Sequence, residues 1–187
     1  MISTVTEYVQ KDPQLALYAE HMNMLMIEND STLAEFKLSI SQKYKRHRPR
    51  LLILLGNPAL LMRDEYRELW GDIPIVLCSE ENYLGPQETY TKKQAIATAD
   101  RTPLTQLADP YNMVLLYSNL YLDENIQLIC HIVPEIKKFI FIGDARQINQ
   151  TNNLDIRNKL KKTHPNVEYQ FITPQDMTTN QLLDSLY

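Results

Sequence analysis

"RPRLLILLGNPALLMRDEYRELWGDIPIVLC", residues 48–78, decides the fold class of this chain of 187 residues. Its five unbroken apolar residues, 51–55, predict a strand covered on both faces, as in parallel sheets flanked by helices. Gly56 turns the chain, Asn57 has the side chain of a helix cap, and Pro58 sits at a first helical position, where its missing N–H costs nothing. The helix "PALLMRDEYRELW" then runs to Gly71, a natural C-terminal stop, and a second apolar strand follows at 73–78. Strand, helix and strand in this order predict a parallel α/β architecture.

The same rhythm extends in both directions. Upstream, Leu33, Phe36, Ile40 and Tyr44 share one face of a helix, with Thr32 and Glu35 spaced as a capping box and Pro49 beyond its end. Downstream come strand "MVLLY" (113–117), helix "ENIQLICHIV" with Asp123 as its cap, and strand "FIFIG" (139–143). A helix over about 151–162, a strand at 167–172 and a last helix from Thr179 complete the series. A further strand is expected within 15–27, preceded by a weak helix in "STVTEYVQ". Residues 84–112 break the pattern with three prolines, and are expected to form a long polar connection with short helices at 92–99 and 103–108.

The net charge is −4, which disfavours general nucleic-acid binding, since phosphate neutralisation needs a basic face. The one basic run, "KYKRHRPR" at 43–50, closes a helix where cations meet the negative end of its dipole. No stretch has the roughly 18 consecutive apolar residues of a membrane helix, and the N-terminus lacks the pattern of a signal peptide. Cys78 and Cys130 lie in apolar patterns of a strand and a helix, which predicts buried free thiols.

Only 4 glycines are present, and none forms GxGxxG or a P-loop, so phosphate-cradling loops are not expected. No GxSxG elbow surrounds Ser79 or Ser118, and His21, His47, His131 and His164 lack ligand spacing, so neither a nucleophile nor a metal centre is expected. Glu80 and Glu81 are adjacent, face opposite ways, and cannot pair as acid and base. What remains is placement: in an open parallel sheet, ligands bind beyond the C-terminal strand ends. Those ends carry Gly56-Asn57, Ser79-Glu80-Glu81-Asn82-Tyr83, Tyr117-Ser118-Asn119 and Gly143-Asp144-Ala145-Arg146. With Arg146 as their one fixed cation, they suit a small polar organic ligand better than a phosphate, and no cofactor is implied.

The segment "RPRLLILLGNPALLMRDEYRELWGDIPIVLCSEENY" resembles the first lobe of type I periplasmic-binding-protein domains, especially the extracytoplasmic sensors of bacterial two-component histidine kinases. "NLYLDENIQLICHIVPEIKKFIFIGD" resembles the crossing into the second lobe, and "YAEHMNM" the second strand of the first. The resemblance implies a three-layer αβα fold with flavodoxin-like lobes at 1–117 and 118–187, a first strand missing and a second lobe cut short. It implies a fragment of a larger sensor, non-catalytic in itself, periplasmic, membrane-linked only through outside segments, and paired as a homodimer through first-lobe helices. The family's cleft positions fall by location on Asn57, Ser79, Glu80, Tyr83, Tyr117, Ser118, Asp144 and Arg146. Alternatives are a substrate-binding component of an ABC-type transporter, a small flavodoxin-like enzyme, and a dimerisation module with a vestigial cleft.

Overall fold

The computed structural model describes residues 2–174 and 177–185, with the side chain of Ile2 excluded. It is a mixed α/β protein with small parallel sheets. Helix α1 (Ile2–Gln10) precedes α2 (Asp30–Tyr44), β1 (Leu52–Leu55), a 3-10 helix (Asn57–Met62) and α3 (Arg63–Trp70). Then come β2 (Ile75–Ser79), β3 (Tyr83–Leu84), α4 (Gln87–Thr91), β4 (Thr102–Pro103), α5 (Thr105–Ala108) and β5 (Met113–Tyr117). The chain continues through α6 (Leu122–Ile132), β6 (Lys138–Ile142), α7 (Gln147–Thr163), β7 (Glu168–Ile172) and α8 (Thr179–Asp184).

Strands β1, β2 and β5 form one parallel sheet in that order, β6 and β7 form a second parallel pair, and β3 and β4 a short antiparallel pair. The central register is Leu54↔Leu77↔Leu115; Leu77 is fully enclosed and Leu54 is buried. Leu33 and Ile40 of α2, Leu60, Leu61 and Met62 of the 3-10 helix, and Tyr66 and Trp70 of α3 pack onto this face. Tyr66 and Trp70 stack with ring centroids 5.7 Å apart. The helix stops where Gly71 adopts φ 68° and ψ −149°, a backbone region that is essentially open to glycine alone. A second, smaller cluster joins Ile126 of α6 to Ile156 and Leu160 of α7, with Phe139, Phe141 and Tyr169 against it.

Several expectations need correction. Ile53, Leu55, Val114 and Leu116 are exposed, so the β1–β2–β5 sheet is covered on one face rather than two. Around this sheet the layers are two, helix on sheet, where three were expected. Residues 15–27 form no strand; Ile27 is buried, and Met22 and Met24 pack against the core from irregular backbone. The expected helix 58–70 is split, with Asn57–Met62 wound as a 3-10 turn. The cap of α2 is Asn29, whose side chain accepts from the Thr32 amide at 3.0 Å while the Thr32 hydroxyl accepts from Asn29 in return. Asp123 does not cap α6; it pairs with Lys159 of α7 at 2.8 Å. Helix α7 begins four residues earlier than the pattern implies, at Gln147. In the long connection the helices fall at Gln87–Thr91 and Thr105–Ala108, leaving 92–97 without one. Cys78 and Cys130 are free and half-buried. Among the described residues no helix is long and apolar enough to cross a membrane.

Candidate functional site at the strand ends

The ladder between β1 and β2 ends with the Gly56 amide donating to the Cys78 carbonyl at 2.8 Å. Gly56 then takes φ 85°, which redirects the chain and drops the Asn57 side chain inward instead of onto the helix end. Asn57 is therefore no cap: it is 2% exposed and no helix-capping hydrogen bond involves its side chain. Its amide nitrogen donates to the Tyr83 carbonyl and, at 3.4 Å, to Glu81 Oε2, while its oxygen accepts from the Ser79 hydroxyl. The Glu81 carbonyl lies 2.8 Å from the same Ser79 oxygen, which accepts from the Glu81 amide at 3.0 Å. Tyr83 closes the set by donating its hydroxyl to Glu81 Oε1 at 2.8 Å.

Glu81 is the buried carboxylate of this cluster. Desolvation raises its pKa, against the opposing pull of the Tyr83 hydrogen bond and the Arg101 charge. Tyr83 is pushed far above the usual tyrosine range, first by burial and then by the Glu81 charge, so its phenol stays a donor. The Arg101 guanidinium lies 4.5 Å from the centroid of the Tyr83 ring, a cation–π arrangement. Its Nη2 donates to both oxygens of Asp155, at 2.7 and 2.9 Å, and its Nε and Nη2 also reach the Ile96 carbonyl. Asp155 belongs to α7. The same helix receives the Ile96 amide on the Thr151 hydroxyl at 3.0 Å, with Gln147 donating to that hydroxyl at 2.7 Å. Residues 96–101 thereby tie the strand-end cluster to the second core cluster.

Three of the eight expected residues, Asn57, Ser79 and Tyr83, meet in this network. The other five do not join it. Glu80 is exposed; alternation along the extended chain turns Glu81 inward in its place. Tyr117 is 59% exposed and Ser118 is exposed, its amide spent on the Ser79 carbonyl at 3.0 Å. Asp144 and Arg146 form a separate cluster: the Asp144 carboxylate accepts from the Arg146 amide (2.9 Å), the Arg146 guanidinium (2.7 Å) and Asn149 (2.7 Å). Burial alone would raise the Asp144 carboxyl, but these three donors together lower it.

Glu81 stood among the strand-end residues but not among the eight cleft positions, and Arg101 and Asp155 were in neither. The signal for Glu81 was available, since a buried Ser79 fixes the inward side of residue 81. Arg101 and Asp155 carry no local signal, being 54 residues apart. The cluster offers paired donors and acceptors and one desolvated carboxylate. The Ser79 hydroxyl touches an amide and backbone, neither of which takes up a proton. Among the described residues no group of three or more His, Cys, Asp or Glu could hold a metal ion. Two surface concavities lie elsewhere, one lined by Arg63, Arg67 and Tyr111 at the opposite strand ends, the other by residues 6–17.

No protein-family model matches this chain, and no curated protein matches it in sequence.

Proposed function

We propose that this chain is a non-catalytic ligand-binding module, the input domain of a bacterial sensor of the two-component histidine-kinase type. It takes a small polar organic molecule between an α/β half at 1–117 and a second at 118–187. The observation that carries the reading is the cluster of Asn57, Ser79, Glu81 and Tyr83 at the strand ends, with Arg101 and Asp155 joining it to α7. The carboxyl ends of parallel strands are the usual address for a ligand in open α/β sheets.

The polar groups of the site are paired with one another, so a ligand binds by exchange. A carboxylate or hydroxyl of the ligand takes the Arg101 donors from Asp155, and the two halves part or shift as that contact changes. The response is a two-state equilibrium; driving it from 1:99 to 99:1 takes about 5.5 kcal/mol of differential affinity, which requires contacts from both halves. Asp144 and Arg146, at the end of β6, form the outer rim of the second half in this reading.

A thermal-shift screen with sugars, amino acids and small organic acids tests the proposal. A ligand at 100 times its dissociation constant stabilises by about 2.7 kcal/mol, well within detection. If no class of small polar molecule raises the melting temperature, the sensing function is wrong.

A further inference from the structure

We propose that the uncovered face of the β1–β2–β5 sheet is an interface between two copies of this chain, packed face to face about a two-fold axis. This goes beyond the ligand-binding reading, does not depend on it, and puts the pairing on the sheet rather than on the first-lobe helices that the resemblance implies. The register places six apolar side chains in a grid on that face: Ile53, Val76 and Val114 in one row, Leu55, Cys78 and Leu116 in the next. The other face holds Leu52, Ile75 and Met113, then Leu54, Leu77 and Leu115, and is the one that α2, α3 and the 3-10 helix cover. Exposure follows the rows: Leu54, Ile75, Leu77 and Met113 are buried, whereas Ile53 is 40%, Leu55 44%, Leu116 55% and Val114 59% exposed.

Parallel sheets with one face in water are rare, because their strands are apolar on both sides. A contiguous apolar patch of this kind on a soluble protein marks an interaction surface. The occupant is constrained by charge. None of the residues 51–55, 75–79 or 113–117 is charged, so a second copy presenting the same face brings no like charges together. With Leu51 at its border, the grid offers on the order of 500 Å² per copy, about 1,000 Å² for the pair, the lower bound for a specific interface. Two helices are rivals within the chain: α1, with Val5, Tyr8 and Val9 among its apolar residues, and α6, which follows β5 directly and leaves Leu128 54%, Ile129 39% and Ile132 67% exposed. Either one folding back would cover the face at every protein concentration, whereas a second copy covers it only as concentration rises. Cys78 sits in the middle strand of the grid, where a pairing copy would cover its thiol.

The test is sedimentation equilibrium of the full chain and of Val114→Lys, together with the maleimide reactivity of Cys78 across protein concentration, using Cys130 as internal reference. Val114 is already exposed, so the lysine costs the monomer little, whereas in the pair it buries an unpaired charge. The expected result is a dimer whose Cys78 becomes unreactive as concentration rises, and a Val114→Lys chain that dimerises on the order of 100-fold more weakly with an unchanged circular dichroism spectrum. A wild-type monomer at every concentration overturns the proposal, as does Cys78 protection independent of concentration, the pattern that α1 or α6 folding back would give. A Val114→Lys dimer of undiminished strength also overturns it. Should that variant fail to fold, Leu116→Lys, at an equally exposed position, and the wild-type Cys78 profile decide the matter.

Discussion

Arg101 donates to both carboxylate oxygens of Asp155 through one nitrogen while its guanidinium face rests on Tyr83, so a single side chain holds α7 to the strand-end cluster. The Arg101 side chain is 17% exposed and that of Asp155 32%. Replacing Arg101 by Ala leaves Asp155 without its partner in a mostly dry setting and removes the Tyr83 contact. A loss of about 1–3 kcal/mol is expected in urea denaturation, less for Asp155→Asn, which keeps an acceptor. A loss below about 0.5 kcal/mol for Arg101→Ala would place the pair among ordinary surface salt bridges.

Asn57 separates two readings by magnitude. A helix cap replaced by Ala costs about 1 kcal/mol. A buried amide whose loss takes a partner from the Ser79 hydroxyl, the Tyr83 carbonyl and the Glu81 carboxylate at once, and leaves a cavity, costs more, about 2–4 kcal/mol for Asn57→Ala. Chemical denaturation resolves the difference, and a value near 1 kcal/mol would restore the capping role.

Glu81 sets a pH dependence of defined sign. Its carboxyl has a raised pKa in the folded protein, so the folded state binds a proton more tightly there than the unfolded chain does. Its contribution to stability is therefore fully present below the unfolded value of 4.5 and lost as pH rises through the higher folded value. Melting temperatures taken from pH 4 upward should show a descending component for the wild type that Glu81→Gln removes. Equal pH slopes in the two proteins would mean that residue 81 ionises as freely folded as unfolded.

Gly85 is the tightest glycine in the chain. A Cβ there would lie 2.4 and 2.7 Å from the side chain of Ile96, which is fully buried and cannot withdraw. Gly85→Ala should cost about 1–3 kcal/mol and loosen residues 96–101, the segment that carries Arg101. Gly71→Ala, with nothing within 4 Å of the new Cβ but a backbone conformation that only glycine readily adopts, should cost about 1–3 kcal/mol and leave that segment unchanged. Proteolytic cleavage rates within 96–101 distinguish the two variants.

Four of the five longer strands were legible in the sequence because each is a short apolar run with no rival helical period; β7, EYQFI, mixes polar with aromatic and aliphatic residues and is legible as a β-rich segment between helices. β1, β2, β5, β6 and β7 fall within one or two residues of expectation. The segment 15–27 is as apolar as a strand, yet it pairs with neither edge strand, β1 or β5, and packs Met22, Met24 and Ile27 against the core from irregular backbone instead. The run at 51–55 reads as doubly covered because hydropathy reports what a strand could bury; whether a second layer reaches it depends on tertiary structure. At the site, the punctuation at strand ends located Asn57, Ser79 and Tyr83. It could not tell Asn57 as a cap from Asn57 as a hub, since that turns on the φ of Gly56. Arg101 and Asp155 come from distant segments brought together by folding alone.

The central claim is that the strand-end cluster receives a small polar ligand by displacing Asp155 from Arg101. The most direct measurement is a ¹⁵N–¹H correlation spectrum of the chain, including the arginine Nε–Hε region, titrated with the compounds that raise the melting temperature. The account predicts that the Arg101 Nε–Hε resonance and the amides of Glu81, Tyr83 and Asp155 move together, with one dissociation constant. Shifts confined to other parts of the chain, with Arg101 unmoved at saturation, would contradict it.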